Sequence, residues 1–568
     1  MPITLVKKMN IDEEFKHLLK WGRYQTVIYV IVCISCVPNA FTTFQFAVNH
    51  FEPNHRCKLP SGIESILKNN LNDSEKILDY YIPREADNYG NSIRSKCHMY
   101  NRSYSTELPP IHINQSADII SCTNGFTFDI LPNHDTAVTD FEMVCSNNWK
   151  GPLAITVFQS GMASGSIAGM LADRYGRRPV YLIATFALIG SMGLTAVSWN
   201  YYLYLVVVYL SGVTGLINFV VAFVLATEVI SVKSRNFMAV GTMYAFSVGY
   251  CIVPLISYYT QNWRSYFWAS MTIAIVLYLP GYWLFPESPR WLMTVGRTNE
   301  AIKELDKMAK ANKKKIDFAN LRKTHPHNMM TRPSGLIETL RIIFKSKLTS
   351  RCLAAFFVWF VTGLVYYAIA FHSKSFSDDR YLNILFSALA ELPAYVSFYA
   401  VNIIGRPRSA TFFLLTCGIF SIILPYLPED LSLARTIISI IGKGAVSAVF
   451  YVIYLSTSEL APTLQRSATM SIASFCCRVG AFIAPSVMLM GKIEYSIPNW
   501  IMGGITILSG IIGIFCIPET MGVRMPDTIQ QAESNKRYYG LNIFRKFKST
   551  EDNTRSKNEH PKKELTAL

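Results

Sequence analysis

Twelve stretches of mostly apolar residues recur along the chain, each about as long as a bilayer crossing, and no other feature restricts its fold so tightly. They centre on 26–47, 151–171, 179–198, 201–226, 237–260, 265–285, 352–372, 382–404, 409–427, 433–457, 467–490 and 498–517. A helix needs roughly 20 such residues to span the hydrocarbon core. Inside a bilayer every backbone polar group must be satisfied within the segment, which makes helices the expected form. Half of the 568 residues are hydrophobic (51%) and only 16% are charged, which is foreign to a soluble multidomain protein. The first run is far longer than the core of a cleavable signal, so it reads as a retained span. The sequence predicts an all-α membrane protein with twelve transmembrane helices.

The charge is distributed to match. Segment 286–351 holds fifteen Lys or Arg against six Asp or Glu, and the link DRYGRR at 173–178 is basic, while SWNYY and TQNWRS carry almost no charge. Basic links mark the cytoplasmic side, which places both termini inside. The expected layout is a cytoplasmic N-terminus (1–25), a first six-helix half (26–285), a cytoplasmic linker (286–351), a second half (352–517) and a cytoplasmic tail (518–568). The net charge of +16 flanks membrane spans and forms no face with interleaved aromatics, so a nucleic-acid partner is discounted. Residues 48–150 form a large polar loop after helix 1, expected outside the cell. This loop contains Cys57, Cys97, Cys122 and Cys145, and N-glycosylation sequons begin at Asn72, Asn101 and Asn114. Four cysteines in an oxidising compartment predict two disulfides, with three pairings open. The other eight cysteines read as small packing residues. Helical periodicity over 298–311 predicts an amphipathic helix on the membrane surface, and 534–568 reads as disordered.

Three anchors repeat. GRRP at 176–179 returns as GRPR at 405–408. Glu228 precedes Arg235 by seven residues, as Glu459 precedes Arg466. PESPRWL starts at 286 and PETMGVR at 518. The offsets are 229, 231 and 232, each at the same point of a six-span unit, so the bundle is a duplication. Carriers of this kind bind substrate near the midplane, between the halves. Asp173, Arg174, Arg177, Arg178, Glu228, Arg235, Glu459 and Arg466 are expected to act as a cytoplasmic latch that parts when the inside opens.

Arg478 lies near the middle of SIASFCCRVGAFIAPSVMLM. An Arg at the bilayer centre costs roughly 2.5–3.5 kcal/mol on insertion scales, so it is expected to face a wet cavity. Its planar fork suits a carboxylate or sulfate; an architectural role, tied to Glu391 or to helix-end carbonyls, is the alternative. Aromatic faces recognise quaternary ammonium groups. Ser447, Phe450, Tyr451 and Tyr454 fall largely on one face of the tenth span, with Tyr366 and Tyr367 in the seventh, Tyr244, Phe246 and Tyr250 in the fifth and Phe158 in the second. Asn218, polar in mid-span, is a candidate contact or interhelical glue. Lys443 is a second anion contact, half of an ion pair, or a snorkelling side chain. The GKG around it lacks the upstream glycine of a phosphate-binding loop, so gradients and not ATP are expected to drive transport. No nucleophile–base pair or metal cluster emerges; no enzyme activity, metal or cofactor is expected.

GSIAGMLADRYGRRP (165–179) resembles the loop signature of the major facilitator superfamily. The glycosylated loop, PESPRWL, SELAPT and PETMGVRMPDT together resemble the organic ion transporters of solute carrier family 22, from about Trp21 to Ile529. NFVVAFVLATEV, ELPAYV and GKGAVSAVFYVIYLSTSEL resemble the branch that carries carnitine and organic cations. The resemblance implies the major facilitator fold, alternating access at the plasma membrane and a small organic ion as substrate. It favours Phe450, Tyr454 and Arg478, then Asn218, Tyr366 and Phe246, as substrate contacts. Carriers of simple organic cations in this family have Asp where Arg478 stands; the anion and carnitine branches have Arg. The anion branch has Lys in the eighth span, where this chain has Tyr395. The resemblance thus implies a zwitterion or cation, with an organic anion exchanger as alternative and a non-transporting receptor as a more distant one. Sodium-coupled carnitine carriers have Gln where Leu188 stands, which leaves sodium or proton coupling open. Oligomeric state is equally open.

Overall fold

The computed structural model describes residues 20–60, 62–64, 67, 74–86, 92–102, 118–130, 134–168, 171–230, 234–314, 336–346, 348–371, 379–428, 431–461, 466–521 and 532–533. Each apolar run is helical: α1 (Arg23–Thr43), α2 (Lys150–Ala168), α3 (Arg177–Ala196), α4 (Tyr201–Val229), α5 (Arg235–Thr260), α6 (Trp263–Leu284), α7 (Thr349–Phe371), α8 (Arg380–Leu389), α9 (Arg406–Ile423), α10 (Ser432–Leu460), α11 (Arg466–Leu489) and α12 (Ile497–Cys516). Among the described residues ten helices are long and apolar enough to cross a membrane. The other two runs are α2 and the eighth. The eighth run stays helical but is not one continuous α-helix. After α8 come Glu391–Ala394, a single 3-10 turn at Tyr395–Ser397, and Phe398–Ile404. Pro393 lies at the break, where it removes an amide donor from the helical ladder.

Short links are fixed by side-chain caps. Asn200, Asn262 and Asp379 accept backbone N–H bonds from Tyr202, Arg264 and Tyr381, starting α4, α6 and α8 at one end of the bundle. The duplication is visible in the packing. In the first half α1 packs on α4, α5 and α6, and α3 packs on α4 and α6; in the second, α7 packs on α10, α11 and α12, and α9 on α10 and α12. Every pair returns six helices later. The halves meet through α2 against α11 and α5 against α8, a set that maps onto itself under the same shift. Gly480 of α11 lies so close to the Phe360 carbonyl of α7 that a side chain there would collide with backbone.

The described residues between 50 and 149 lie at one end of the bundle, here called the loop end. The disulfides are Cys57–Cys122 and Cys97–Cys145, one of the three pairings the sequence left open. Paired short strands, His55–Cys57 with Phe126–Phe128 and His98–Tyr100 with Ile119–Ser121, run through the stapled region. The loop is fastened to the first half: the Trp263 indole N–H donates to Asp140 at 3.0 Å, and Arg264 pairs with the same carboxylate at 3.1 Å. Asn101 is exposed; Asn72 and Asn114 lie outside the described residues, as does 534–568. At the opposite, linker end, the helix Thr298–Ala311 forms where expected but with a different partner. It buries Leu305, Met308 and Ala309 against Ile28 of α1 and Val229 of α4 instead of lying free on lipid. Asn312 fastens it, accepting the Tyr24 N–H at 3.1 Å and donating to Gln25 at 2.9 Å.

Candidate functional site

Arg478 sits midway along α11 and lines a cavity between the two halves. Its Nη1 donates to the Tyr367 hydroxyl at 2.5 Å and lies 3.9 Å from the Met162 sulfur. Its Nε is buried without a hydrogen-bond partner. Glu391, the acid that could have neutralised it, is engaged elsewhere. One Glu391 oxygen lies 3.3 Å from Lys443 Nζ and accepts the Tyr366 hydroxyl at 2.6 Å; the other accepts the Ser247 hydroxyl at 2.6 Å. Both members of that ion pair are fully buried. Among the described residues no carboxylate pairs with Arg478. Arg478 is thus a buried guanidinium with no acid partner among the described residues and an opening beside it.

The cavity is small, about 70 Å³. Its wall is largely aromatic. Phe158 comes from α2, Phe219 from α4, Phe246 from α5, Tyr366 and Tyr367 from α7, and Phe450 and Tyr454 from α10. Edge contacts set these rings: Tyr366 meets Phe450 at 5.0 Å and Trp359 meets Tyr454 at 4.5 Å. Rings offer quadrupole faces to an organic cation and apolar surface to a chain. Towards the loop end Phe44 stacks on Tyr250 at 3.5 Å, and Lys443 Nζ lies 3.4 Å over the Tyr366 ring. Ser247 to Glu391, and Tyr250 to Ser387 at 3.1 Å, tie α5 to the eighth run across the halves.

At the linker end the three repeated anchors converge twice. Gly176 and Gly405 take φ of 104° and 103°, a region natural only to glycine, and turn the chain into α3 and α9. Glu287 then accepts the Arg177 N–H at 2.8 Å, and Glu519 accepts the Arg406 N–H at 3.1 Å. The guanidinium of Arg177 donates to Glu228 (2.9 and 3.1 Å) and to Asp173 (2.8 Å); that of Arg406 reaches Glu459 at 3.4 Å. Burial lifts the Glu287 carboxyl above its usual range, although the amides of Ser288, Arg177 and Arg178 pull it down.

Asp173, Arg177, Glu228 and Glu459, expected in a cytoplasmic latch, meet in these clamps. The hydrogen bonds described for each clamp join residues of one half. Glu459 accepts from Arg406, and Arg466 donates to the Ala461 carbonyl at 3.4 Å. Arg174 and Arg178 are exposed, and the Arg235 side chain lies outside the described residues. Arg406, Glu287 and Glu519 were missed although they stand in the very repeats that marked the duplication.

Residues 111–529 match the sugar (and other) transporter family. The chain belongs to that family. The transporter is 28% identical over 542 residues to organic cation/carnitine transporter 2 of Homo sapiens, covering 92% of this chain and 94% of the relative. It is 28% identical over 551 residues to solute carrier family 22 member 4 of Mus musculus, covering 92% and 95%. Among solved structures it superposes on the major facilitator proton:xylose symporter XylE with a TM-score of 0.56, at 15% identity, over 89% of this chain and 98% of that one. The transporter is thus a multi-pass membrane protein of the major facilitator fold.

Of the six expected substrate contacts, Arg478, Phe450, Tyr454, Tyr366 and Phe246 line the cavity. Asn218 is placed elsewhere. It is fully buried, accepts from Asn39 at 3.0 Å and from Tyr278 at 3.2 Å, and donates to Thr185 at 2.7 Å. It acts as glue between α1, α3, α4 and α6. Tyr244 is 44% exposed and Tyr451 packs behind Tyr395, which lines the cavity, so neither Tyr244 nor Tyr451 joins the cage. Asn39, Thr42 and Met243 line the cavity unforeseen. The sequence carries a signal for Asn39, an amide within the first apolar run, which also holds Gln45.

Proposed function

We propose that the transporter moves small organic ions, zwitterions such as carnitine or organic cations, across the plasma membrane by alternating access. The observation that carries this reading is Arg478, with no acid partner among the described residues, on the wall of an aromatic cavity between two duplicated halves. A carboxylate would take the guanidinium, and the cationic end would lie among Phe158, Phe246, Tyr366 and Phe450. In this reading residues 48–150 face outwards, and the termini and the linker 286–351 lie in the cytoplasm. The two Arg–Glu clamps keep each half rigid while the halves rock. The carnitine and organic cation named for the two relatives support this substrate class. A second reading, an organic anion exchanger, is favoured by one fact: Arg478 is the cavity's charged residue and it is cationic. Uptake of radiolabelled carnitine, tetraethylammonium and an aromatic carboxylate, with sodium present and replaced, separates the two. The first reading expects carnitine uptake; uptake of the carboxylate alone supports the exchanger.

A further inference from the structure

Asn39 of α1 is 4% exposed and lines the cavity on the first-half side. Its amide is oriented by its neighbours. Nδ2 donates to the Ser35 carbonyl at 3.0 Å, to Asn218 Oδ1 at 3.0 Å and to the Tyr278 hydroxyl at 3.3 Å. The Ser35 carbonyl can only accept, so a flipped amide would set oxygen against oxygen. Oδ1 is therefore the atom left over, and it is buried without a hydrogen-bond partner. A buried acceptor left unmade is costly in an apolar surround. Space in front of it is kept by Gly215 of α4. A methyl built on Gly215 would stand 3.5 Å from Asn39 Oδ1, 3.6 Å from Leu188 Cδ1 and 3.7 Å from Thr42 Oγ1. It would fit without collision and would cover the oxygen.

We infer that Asn39 Oδ1 is a second recognition point of the cavity, accepting a hydrogen bond from a hydroxyl or N–H of the substrate while Arg478 holds its carboxylate. The inference rests on the carboxylate reading of Arg478 given above and narrows it: the preferred substrate is a carboxylate-bearing ion that also carries a hydrogen-bond donor. A bare cation is a poorer fit for this oxygen. Asn218 Oδ1 already takes two donors, and Leu188 supplies a methyl where a further oxygen ligand would be needed. With Asn39 on the first half and Arg478 on the second, a substrate with both groups bridges the halves, and one lacking the donor engages the second half alone.

The test uses the full-length transporter in cells and matched pairs of labelled substrates that differ by one donor. Carnitine and its 3-deoxy analogue form one pair; a 4-aminobutanoate bearing one N–H and its trimethylated form are another. Surface protein is quantified throughout. The wild type is expected to clear the donor-bearing member about tenfold faster, the order of one hydrogen bond. Gly215→Ala, which leaves the Asn39 network in place, is expected to slow that member alone and bring the ratio near one. Arg478→Ala is expected to slow both members. Equal clearance of both members by the wild type overturns the inference, as does an equal loss of both in Gly215→Ala. A sodium-stimulated uptake whose sodium dependence vanishes in Gly215→Ala also overturns it, because the oxygen then serves a cation. If no member of any pair is carried, or if Arg478→Ala spares both, the carboxylate reading itself falls.

Discussion

At the scale of single residues, the transporter places two kinds of charge in its interior and treats them differently. Lys443 and Glu391 neutralise each other, with Tyr366 and Ser247 satisfying the carboxylate; Arg478 is given only a phenol, a thioether and a cavity. Arg478→Ala is expected to cut clearance of carboxylate-bearing substrates by roughly ten- to a hundredfold, the scale of one charge-assisted hydrogen bond of about 1.5–3 kcal/mol, and to affect tetraethylammonium little. An equal loss for both would make the residue architectural. Breaking one member of the buried pair leaves a charge stranded, at about 3–5 kcal/mol. Lys443→Met is therefore expected to lower surface expression, with Lys443→Met combined with Glu391→Gln recovering part of it, read by surface biotinylation. Arg478 was legible in the sequence because a charge inside an apolar run is rare. Its distance from Glu391 in function was not, since both acids and bases of the membrane interior look alike until their neighbours are known.

Among elements, the informative ones are the two clamps and the stapled loop. Each clamp joins three segments far apart in sequence, and Gly176 and Gly405 hold the positive φ that lets the arginine amide meet Glu287 or Glu519. Arg406→Ala and Glu228→Lys are each expected to reduce uptake at least tenfold with surface protein retained; normal uptake in either would remove the clamps from the transport cycle. In the loop, Asp79 pairs with Arg84 and Arg94 at 2.9 and 2.7 Å. Desolvation pushes its carboxyl up, but these two hydrogen-bonded guanidiniums prevail and its pKa lies below the ordinary value. A depressed folded-state pKa contributes stability above the ordinary carboxylate range and loses it as pH falls. The loop's resistance to limited proteolysis is thus expected to be flat from neutral pH to about pH 5 and to decline near pH 4 and below, with the decline reduced in Asp79→Asn. Helix positions were legible because apolar runs of membrane length admit little else. The break near Pro393 was not, since a run of matching length and hydropathy conceals where the ladder fails. The disulfide pairing depends on which strands meet and could not be read from spacing.

For the molecule as a whole, the duplication read from three short motifs is borne out by helix packing that repeats with a shift of six. Contacts between the halves are fewer, concentrated in α2–α11 and α5–α8, the pattern of two bodies that move against each other. Tyr258 of α5 and Tyr381 of α8 face one another at 5.5 Å near the loop end. Bridging Tyr258→Cys to Tyr381→Cys with a short thiol-specific cross-linker is expected to bring uptake to background in proportion to the bridged fraction; undiminished uptake in bridged protein would mean that this end need not open. The loop, meanwhile, is riveted to Trp263 and Arg264 at the start of α6, so it is carried as cargo by the first bundle. A bulky binder seated on the loop would swing with that bundle like an outrigger. Whether it stalls the pump or rides along harmlessly then depends on its footprint: one that overhangs the rim of the opposite bundle becomes a brake, and one that does not is merely a label.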